Sequence, residues 1–305
     1  MAILVTEKTK VLIQGITGKE GSKVALQMKN YSTKVLAGVT PGKGGQEVHG
    51  VPVYNTIAQA LENHPGINAS IISVPNFASF KAMKEAIEAK IPLINVFTEH
   101  VPIADTAKAI ALARSIVIPA QAGIHTDNVK IVGPSSMGII SPGIGKLGQI
   151  GGDDPRGVVS KGNIGVISKS GGMTLEICWI LTKNGIGQST ALSIGGDILA
   201  GSTFADLLLD FEKDPQTKAV VIFGEIGGTY EEEAAEVIKS GKFTKKVVAF
   251  ISGLFAESLP QGTKLGHAGA IVYGEKGSYK SKIESLKSAG VIIAKTPDEI
   301  PELLN

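Results

Sequence analysis

Short apolar runs alternate with longer segments of helical periodicity along almost the whole chain. The apolar runs have the length of buried strands, and segments such as 80–89 between them show the spacing of helices. This alternation predicts an α/β fold with parallel sheets that are covered by helices on both faces. Strands are predicted at 11–14, 34–39, 69–74, 91–97, 129–132, 164–167, 190–194, 219–223, 247–251 and 291–294. Helices are predicted in the second half at 172–184, 203–213, 230–240, 278–289 and 297–304.

The alternation is interrupted once, between residues 133 and 161, by a stretch rich in Gly, Pro and Ser. The chain has 305 residues, a length that favours two domains of ordinary size. We therefore predict one α/β domain over residues 1–133, a connection over 134–162 and a second α/β domain over 163–305.

Composition excludes several classes of protein. The net charge is +2 and the only arginines are Arg114 and Arg156, which argues against nucleic-acid binding. Cys178, the single cysteine, lies in an apolar run and predicts a packing residue in a reducing compartment. No apolar run approaches the roughly 18 residues of a membrane span, and the N-terminus does not resemble a signal peptide. The expectation is a soluble, cytoplasmic protein, and the His and Cys spacing predicts no metal site.

Glycine-rich segments follow the predicted strands, where open α/β sheets bind their ligands. The segment 15–21 enters a helix and suits a phosphate, although a turn without a ligand is the alternative. After the second strand comes Lys43, not the acid that an NAD site requires, so a phosphate-rich ligand such as CoA is favoured over a dehydrogenase cofactor. No Gly-Lys pair is followed by Ser or Thr as in a P-loop, which predicts a nucleotide site elsewhere.

The second half carries a candidate nucleophile. Ser170, Gly171 and Gly172 open a helix and form another candidate anion site. His267 is flanked by small residues, and Glu225 ends a strand. Glu225 could accept a hydrogen bond from one ring nitrogen and leave the other free to attack. A purely structural histidine is the alternative, and it is the interpretation given to the other four: His49, His64, His100 and His125.

The motifs and their order resemble a known family. They include Gly15-x-Thr-Gly18, Thr40-Pro-Gly-Lys-Gly-Gly45, Gly224-Glu-Ile-Gly-Gly228 and Gly266-His-Ala-Gly-Ala270. Over almost its whole length the chain resembles the α subunit of succinyl-CoA synthetase. It is also similar to the corresponding part of ATP-citrate lyase and to the small subunit of citryl-CoA synthetase.

The resemblance implies a Rossmann-like CoA-binding domain followed by a flavodoxin-like ligase domain. It implies His267 as the phosphorylated histidine, Glu225 as its support, and the segment 170–172 as the helix terminus that faces phosphate and the acid. It also implies a hetero-oligomer with a β-type ATP-grasp partner that holds ATP and Mg. The positions implied for CoA are Thr17, Gly18, Lys19, Glu20, Lys43, Phe97, Thr98 and Glu99.

The implied reaction is an ADP-forming ligation of a carboxylic acid to CoA, and the acid is the open question. Succinyl-CoA synthetases usually have threonine and tyrosine where this chain has Gly172 and Leu175. Because leucine cannot donate a hydrogen bond, citrate is favoured over succinate, while malate remains an alternative. Two further alternatives are a succinyl-CoA synthetase α subunit that uses ATP or GTP, and a non-catalytic CoA-binding module.

Overall fold

The computed structural model describes residues 3–116, 128–260, 262–263, 266–272 and 277–305. In the first half the elements are β1 (Lys10–Gln14), α1 (Lys19–Asn30), β2 (Lys34–Val39), β3 (Glu47–Val48), β4 (Val51–Tyr54), α2 (Ile57–Asn63), β5 (Ala69–Ile72), α3 (Ser79–Glu88), β6 (Leu93–Val96), α4 (Ile103–Ser115) and β7 (Lys130–Val132). In the second half they are β8 (Gly138–Ser141), β9 (Gly145–Gly148), β10 (Lys161–Ser168), α5 (Gly171–Lys183), β11 (Gln188–Ser193), α6 (Phe204–Lys213), β12 (Ala219–Glu225), α7 (Tyr230–Lys239), β13 (Lys246–Ser252), α8 (Tyr279–Ser288), β14 (Ile292–Ala294) and α9 (Ile300–Leu304).

The described strands form two sheets of seven strands each. The order in the first sheet is β3-β4-β2-β1-β5-β6-β7, and every pair is parallel except β3 with β4. The chain moves from β1 to β2 on one side and later returns to β5 on the other side. This reversal leaves a crevice beyond the carboxyl ends of β1 and β5, the usual ligand position in such a sheet.

The second sheet repeats this arrangement in the order β14-β13-β12-β10-β11-β8-β9. The strands from β14 to β11 are parallel, whereas β8 pairs antiparallel with β11 and β9 antiparallel with β8. Here the reversal lies between β10 and β12. The predicted α/β fold with two parallel-dominated sheets is therefore confirmed.

The four strands β3, β4, β8 and β9 are absent from the sequence-based prediction. Two of them, β8 and β9, lie inside the stretch 134–162 that reads as a connection, and they extend the second sheet. The glycines of β8 and β9 give this stretch the composition of a loop. In the structure they allow the two strands to pair closely, since a Cβ on Gly138 would lie 2.0 Å from the Leu147 carbonyl oxygen. We propose that the second domain begins before β8.

Both faces of each central strand are buried. In β1, Val11 and Ile13 belong to one apolar cluster and Leu12 to another on the opposite face. The first of these clusters also contains Ile167 of β10 and so continues into the second half. Cys178 is fully buried, which raises the pKa of its thiol and fits a packing role. No helix within the described ranges is long and apolar enough to cross a bilayer.

Candidate functional site

The residues predicted to carry the chemistry meet at the reversal point of the second sheet. Glu225 is the last residue of β12, and β10 beside it ends at Ser168. The backbone N–H of Lys169 donates to the carbonyl of Phe223 at 3.2 Å, which continues the contact between the two strands beyond β10. The segment before α5 therefore lies beside Glu225, as expected for a ligand site at a topological switch point.

His267 and Glu225 form a hydrogen-bonded pair, with 2.7 Å between His267 Nδ1 and Glu225 Oε2. Because a carboxylate accepts hydrogen bonds, Nδ1 carries the proton, and Nε2 is the ring nitrogen with a free electron pair. The hydrogen bond from Glu225 raises the pKa of His267 and outweighs the opposing effect of burial. The His267 side chain is 41% exposed and that of Glu225 is 12% exposed. The imidazole is therefore accessible, whereas the carboxylate that it contacts is largely buried.

Two glycines allow the loop that carries His267 to approach the strand ends. A Cβ on Gly196 would lie 2.5 Å from Cγ of His267, and the carbonyl of Gly196 accepts from Gly269 N–H at 2.9 Å. Gly227 has φ +87°, and its Cβ would lie 2.0 Å from the Gly269 carbonyl oxygen. Gly196 and Gly227 are therefore required by close packing of the loop that carries the histidine.

The predicted anion site is the N-terminus of α5. The Ser170 hydroxyl caps the helix by accepting from Met173 N–H at 3.3 Å. Gly172 is exposed, and a Cβ there would meet only the Ser170 hydroxyl oxygen at 3.9 Å. Backbone N–H groups in a first helical turn attract anions through their free hydrogens and the helix dipole. This terminus can therefore receive a phosphoryl or carboxylate group.

Sequence reasoning did not assign Asp197 or Lys169. Asp197 follows β11 in a Gly-Gly-Asp motif, and its Oδ2 is buried with no hydrogen-bond partner among the described residues. Burial raises the pKa of Asp197, and the opposing charges near it include those of His100 and His267. The position of Asp197 after a strand was the available signal. No feature of the sequence distinguished Lys169, because a lysine beside Ser170 resembles a surface residue.

The loops predicted to hold CoA meet at the reversal point of the first sheet. The Thr17 hydroxyl donates to the Thr40 hydroxyl at 3.1 Å and joins the ends of β1 and β2. Gly18 caps α1, and its first-turn residues Lys19 and Glu20 are exposed. Lys43 is also exposed and lies in the loop after β2.

The remaining predicted CoA positions differ in accessibility. Thr98 is buried, and its hydroxyl donates to the Val74 carbonyl at 2.8 Å, so it joins the loops after β5 and β6. Phe97 is half-buried, whereas Glu99 is exposed. Glu20 accepts from the Gln149 amide at 2.7 Å, a contact from the first half to the second.

The other histidines have different surroundings. His49 lies 2.9 Å from the Ser22 hydroxyl, and His64 lies 3.1 Å from the Tyr54 hydroxyl. His100 is exposed, and His125 lies outside the described residues.

Two family descriptions match the chain: a CoA binding domain over residues 6–100 and a CoA-ligase domain over residues 167–292. Fold, site and matches together define a subunit of an acid–CoA ligase. The succinate–CoA ligase [ADP-forming] subunit alpha of Aquifex aeolicus is 45% identical over 302 residues, which cover 99% of this chain and 93% of that protein. Subunit alpha 1 of the Archaeoglobus fulgidus enzyme is 46% identical over 296 residues, covering 97% of this chain and 94% of that protein.

This chain therefore belongs to the succinate–CoA ligase alpha subunit family, which confirms the resemblance noted in the sequence. The solved structure of ATP citrate lyase from Methanothrix soehngenii, in complex with citrate and coenzyme A, is also similar. It has a TM-score of 0.88 and 26% identity, and the match covers 99% of this chain. This chain spans 50% of that longer chain.

Proposed function

We propose that this chain, with a β-type partner subunit, ligates succinate to CoA through a phosphohistidine at His267. The observation that carries the proposal is the 2.7 Å contact between His267 Nδ1 and Glu225. It fixes the protonation of the ring and leaves Nε2 available as a nucleophile. The N-terminus of α5 begins two residues beyond Lys169, whose charge acts on His267, so an anion-binding helix end lies on the same side of the sheet.

The reaction consists of three displacements. His267 Nε2 attacks the γ-phosphorus of ATP, the bond to the β,γ-bridging oxygen breaks, and ADP leaves. Glu225 stabilises the positive charge that develops on the ring. A carboxylate oxygen of the acid then attacks the phosphohistidine phosphorus, which gives an acyl phosphate and returns the electron pair to Nε2. Finally the CoA thiolate attacks the acyl carbon, and inorganic phosphate departs.

The CoA site is proposed at the carboxyl edge of the first sheet. All eight positions implied by the resemblance lie within the matched CoA binding domain, residues 6–100. Lys19 and Lys43 are exposed there and suit the phosphates of CoA. The side chain of Thr98 is committed to Val74, so its contribution to CoA binding is to shape the loop.

A β-type ATP-grasp partner is proposed to bring ATP with its Mg. The relatives are named as alpha subunits, which implies a second subunit in those enzymes. None of the Gly-Lys pairs of this chain has the Ser or Thr that a P-loop needs for the metal. The expected assembly is a hetero-oligomer.

Succinate replaces citrate as the first choice because relatives with 45% and 46% identity carry the succinate name. The preference for citrate is not confirmed, and the structure weakens one of its premises. Leu175 packs against an apolar cluster that includes Ile177 and Cys178 of the same helix, so this position contributes to the core and not only to an acid pocket. Citrate remains the second candidate because Gly172 leaves open space at the helix terminus.

Reconstitution with a β-type subunit tests the proposal. With labelled ATP, the wild-type chain should acquire phosphate and His267→Asn should not. CoA binding without any label would favour the non-catalytic module. Succinate, citrate and malate are then compared by kcat/KM for ADP release. A tenfold preference for citrate, worth about 1.4 kcal/mol, would overturn succinate while leaving the histidine chemistry intact.

A further inference from the structure

A buried ionic cluster lies behind the histidine site. This cluster, the Glu231 cluster, consists of Lys169, Glu231, Glu232 and Lys282. The side chains of Glu231 and Lys282 are 0% exposed and that of Lys169 is 7% exposed. Burying charges costs solvation energy, and an apolar cluster of the same volume is often at least as stable. Stability alone therefore gives a poor account of the cluster.

The cluster holds the backbone of Glu225 on both sides. The Glu231 Oε1 accepts from the N–H of Glu225 at 3.1 Å. Lys169 Nζ lies 3.0 Å from that same oxygen and donates to the carbonyls of Glu225 at 3.4 Å and Gly227 at 3.1 Å. The fit requires a glycine at position 224, because a Cβ on Gly224 would lie 2.5 Å from Glu231 Oε1.

The same cluster joins α8 to this turn. Lys282 Nζ donates to the Glu231 carboxylate, to Glu232 Oε2 at 2.9 Å and to the Gly228 carbonyl at 3.0 Å. Ser281, its neighbour on α8, donates to the other carboxylate oxygen of Glu232 at 3.0 Å. The turn 225–228 is thus bonded to side chains from the segment between β10 and α5, from α7 and from α8.

We propose that Glu231 is a positioning residue, which holds Glu225 so that its carboxylate stays bonded to His267 Nδ1. The inference rests on the proposed role of His267 as the phosphate acceptor. Glu231 acts through the backbone of Glu225 and through Lys169, and it does not enter the chemistry. Burial opposes its ionisation, but Lys169 and Lys282 outweigh burial and lower the pKa of Glu231, so both lysines face a charged carboxylate.

Two charge-balanced double variants test this role. In Glu231→Leu with Lys282→Met, the acceptor for the Glu225 N–H is lost. In Glu231→Gln with Lys282→Met, an amide oxygen remains at that position. Both remove one charge of each sign, and apolar replacements of buried ion pairs often preserve stability. The matched control is Glu233→Gln, an exposed residue on the same turn of α7.

Two quantities are measured: the single-turnover rate of His267 phosphorylation in the reconstituted complex, and the pKa of His267 by NMR in the isolated chain. The charges facing His267 come from Glu225, Lys169 and Asp197. The leucine variant should phosphorylate about tenfold more slowly, because the supporting carboxylate is displaced. The pKa of its His267 should fall towards the ordinary value. The glutamine variant should recover most of both quantities, and the control should match the wild type.

These measurements distinguish a failure of the proposed function from a failure of the positioning role. A wild-type chain that takes no label at His267 would refute the proposed function. A wild-type chain that is labelled, together with a folded leucine variant of equal rate and equal His267 pKa, would refute the positioning role alone. Equal losses in the leucine and glutamine variants would also refute it, since the acceptor for Glu225 would then be irrelevant. If the leucine variant does not fold, the glutamine variant decides, because it keeps an acceptor for the Glu225 N–H. A rate within about twofold of the wild type and an unchanged His267 pKa would support the role, and a large loss of both would refute it.

Discussion

Replacing Glu225 by glutamine tests the centre of the proposed mechanism. The substitution preserves the shape of the side chain but removes the charge 2.7 Å from His267 Nδ1. A hydrogen bond to a charged group contributes about 1.5–3 kcal/mol. Because the His267 side chain is 41% exposed, solvent screens part of this interaction, and the lower half of that range applies. A loss of about 2 kcal/mol in the transition state slows phosphorylation about 30-fold.

The assay is rapid-quench phosphorylation of the reconstituted complex with labelled ATP. The Glu225→Gln variant should show the slower rate. Its KM for CoA in steady-state assays should be unchanged, because the proposed CoA loops belong to the other sheet. Its His267 should also titrate at a lower pH than in the wild type, since Glu225 is the main cause of the raised pKa. A variant with the wild-type rate and the wild-type His267 titration would refute the argument.

Three further predictions concern binding, packing and pH. Lys43→Ala should raise the KM for CoA several-fold in steady-state assays and leave labelling of His267 by ATP unchanged. Gly227→Ala should lower the melting temperature and the extent of labelling, because its Cβ would lie 2.0 Å from the Gly269 carbonyl oxygen at φ +87°. The folded-state pKa of His267 is raised above its ordinary value of 6.5, so its contribution to stability is complete below that pH and is lost as the pH rises through the folded-state pKa. Denaturant unfolding of wild type and His267→Asn across this window should show the two stabilities converging at high pH.

The strand pattern could be predicted wherever the residues themselves are apolar. Strands β1, β2, β10, β12 and β13 carry apolar runs, which is the pattern of strands buried on both faces. In contrast, β8 and β9 begin or end with glycine, and their sequences resemble turns. Their strand conformation depends on the pairing of β8 with β11 and of β9 with β8, and the β11 contact is one that no local pattern encodes.

The candidate site also contains residues that could be predicted from the sequence and others that could not. His267 and Glu225 could be paired from the sequence because Glu225 ends a strand, His267 lies in the loop after the next strand, and both stand in glycine-rich segments. The structure brings them together. Glu231 could not be recognised, because it begins a run of three glutamates in the first turn of a helix, which is typical of a solvated N-terminus. Its burial depends on Lys282, which lies 51 residues further along the chain.

The exposure of His267 bears on the role of the proposed partner subunit. A phosphohistidine must transfer its phosphoryl group to a carboxylate faster than to water, so the site has to exclude solvent when it reacts. In this chain the carboxylate side of the ring is sheltered by Glu225, but 41% of the His267 side chain is open. The N-terminus of α5 is similarly open at Gly172. In the proposed mechanism this chain would therefore supply the nucleophile and its orientation, whereas the proposed partner subunit would cover the ring and deliver ATP.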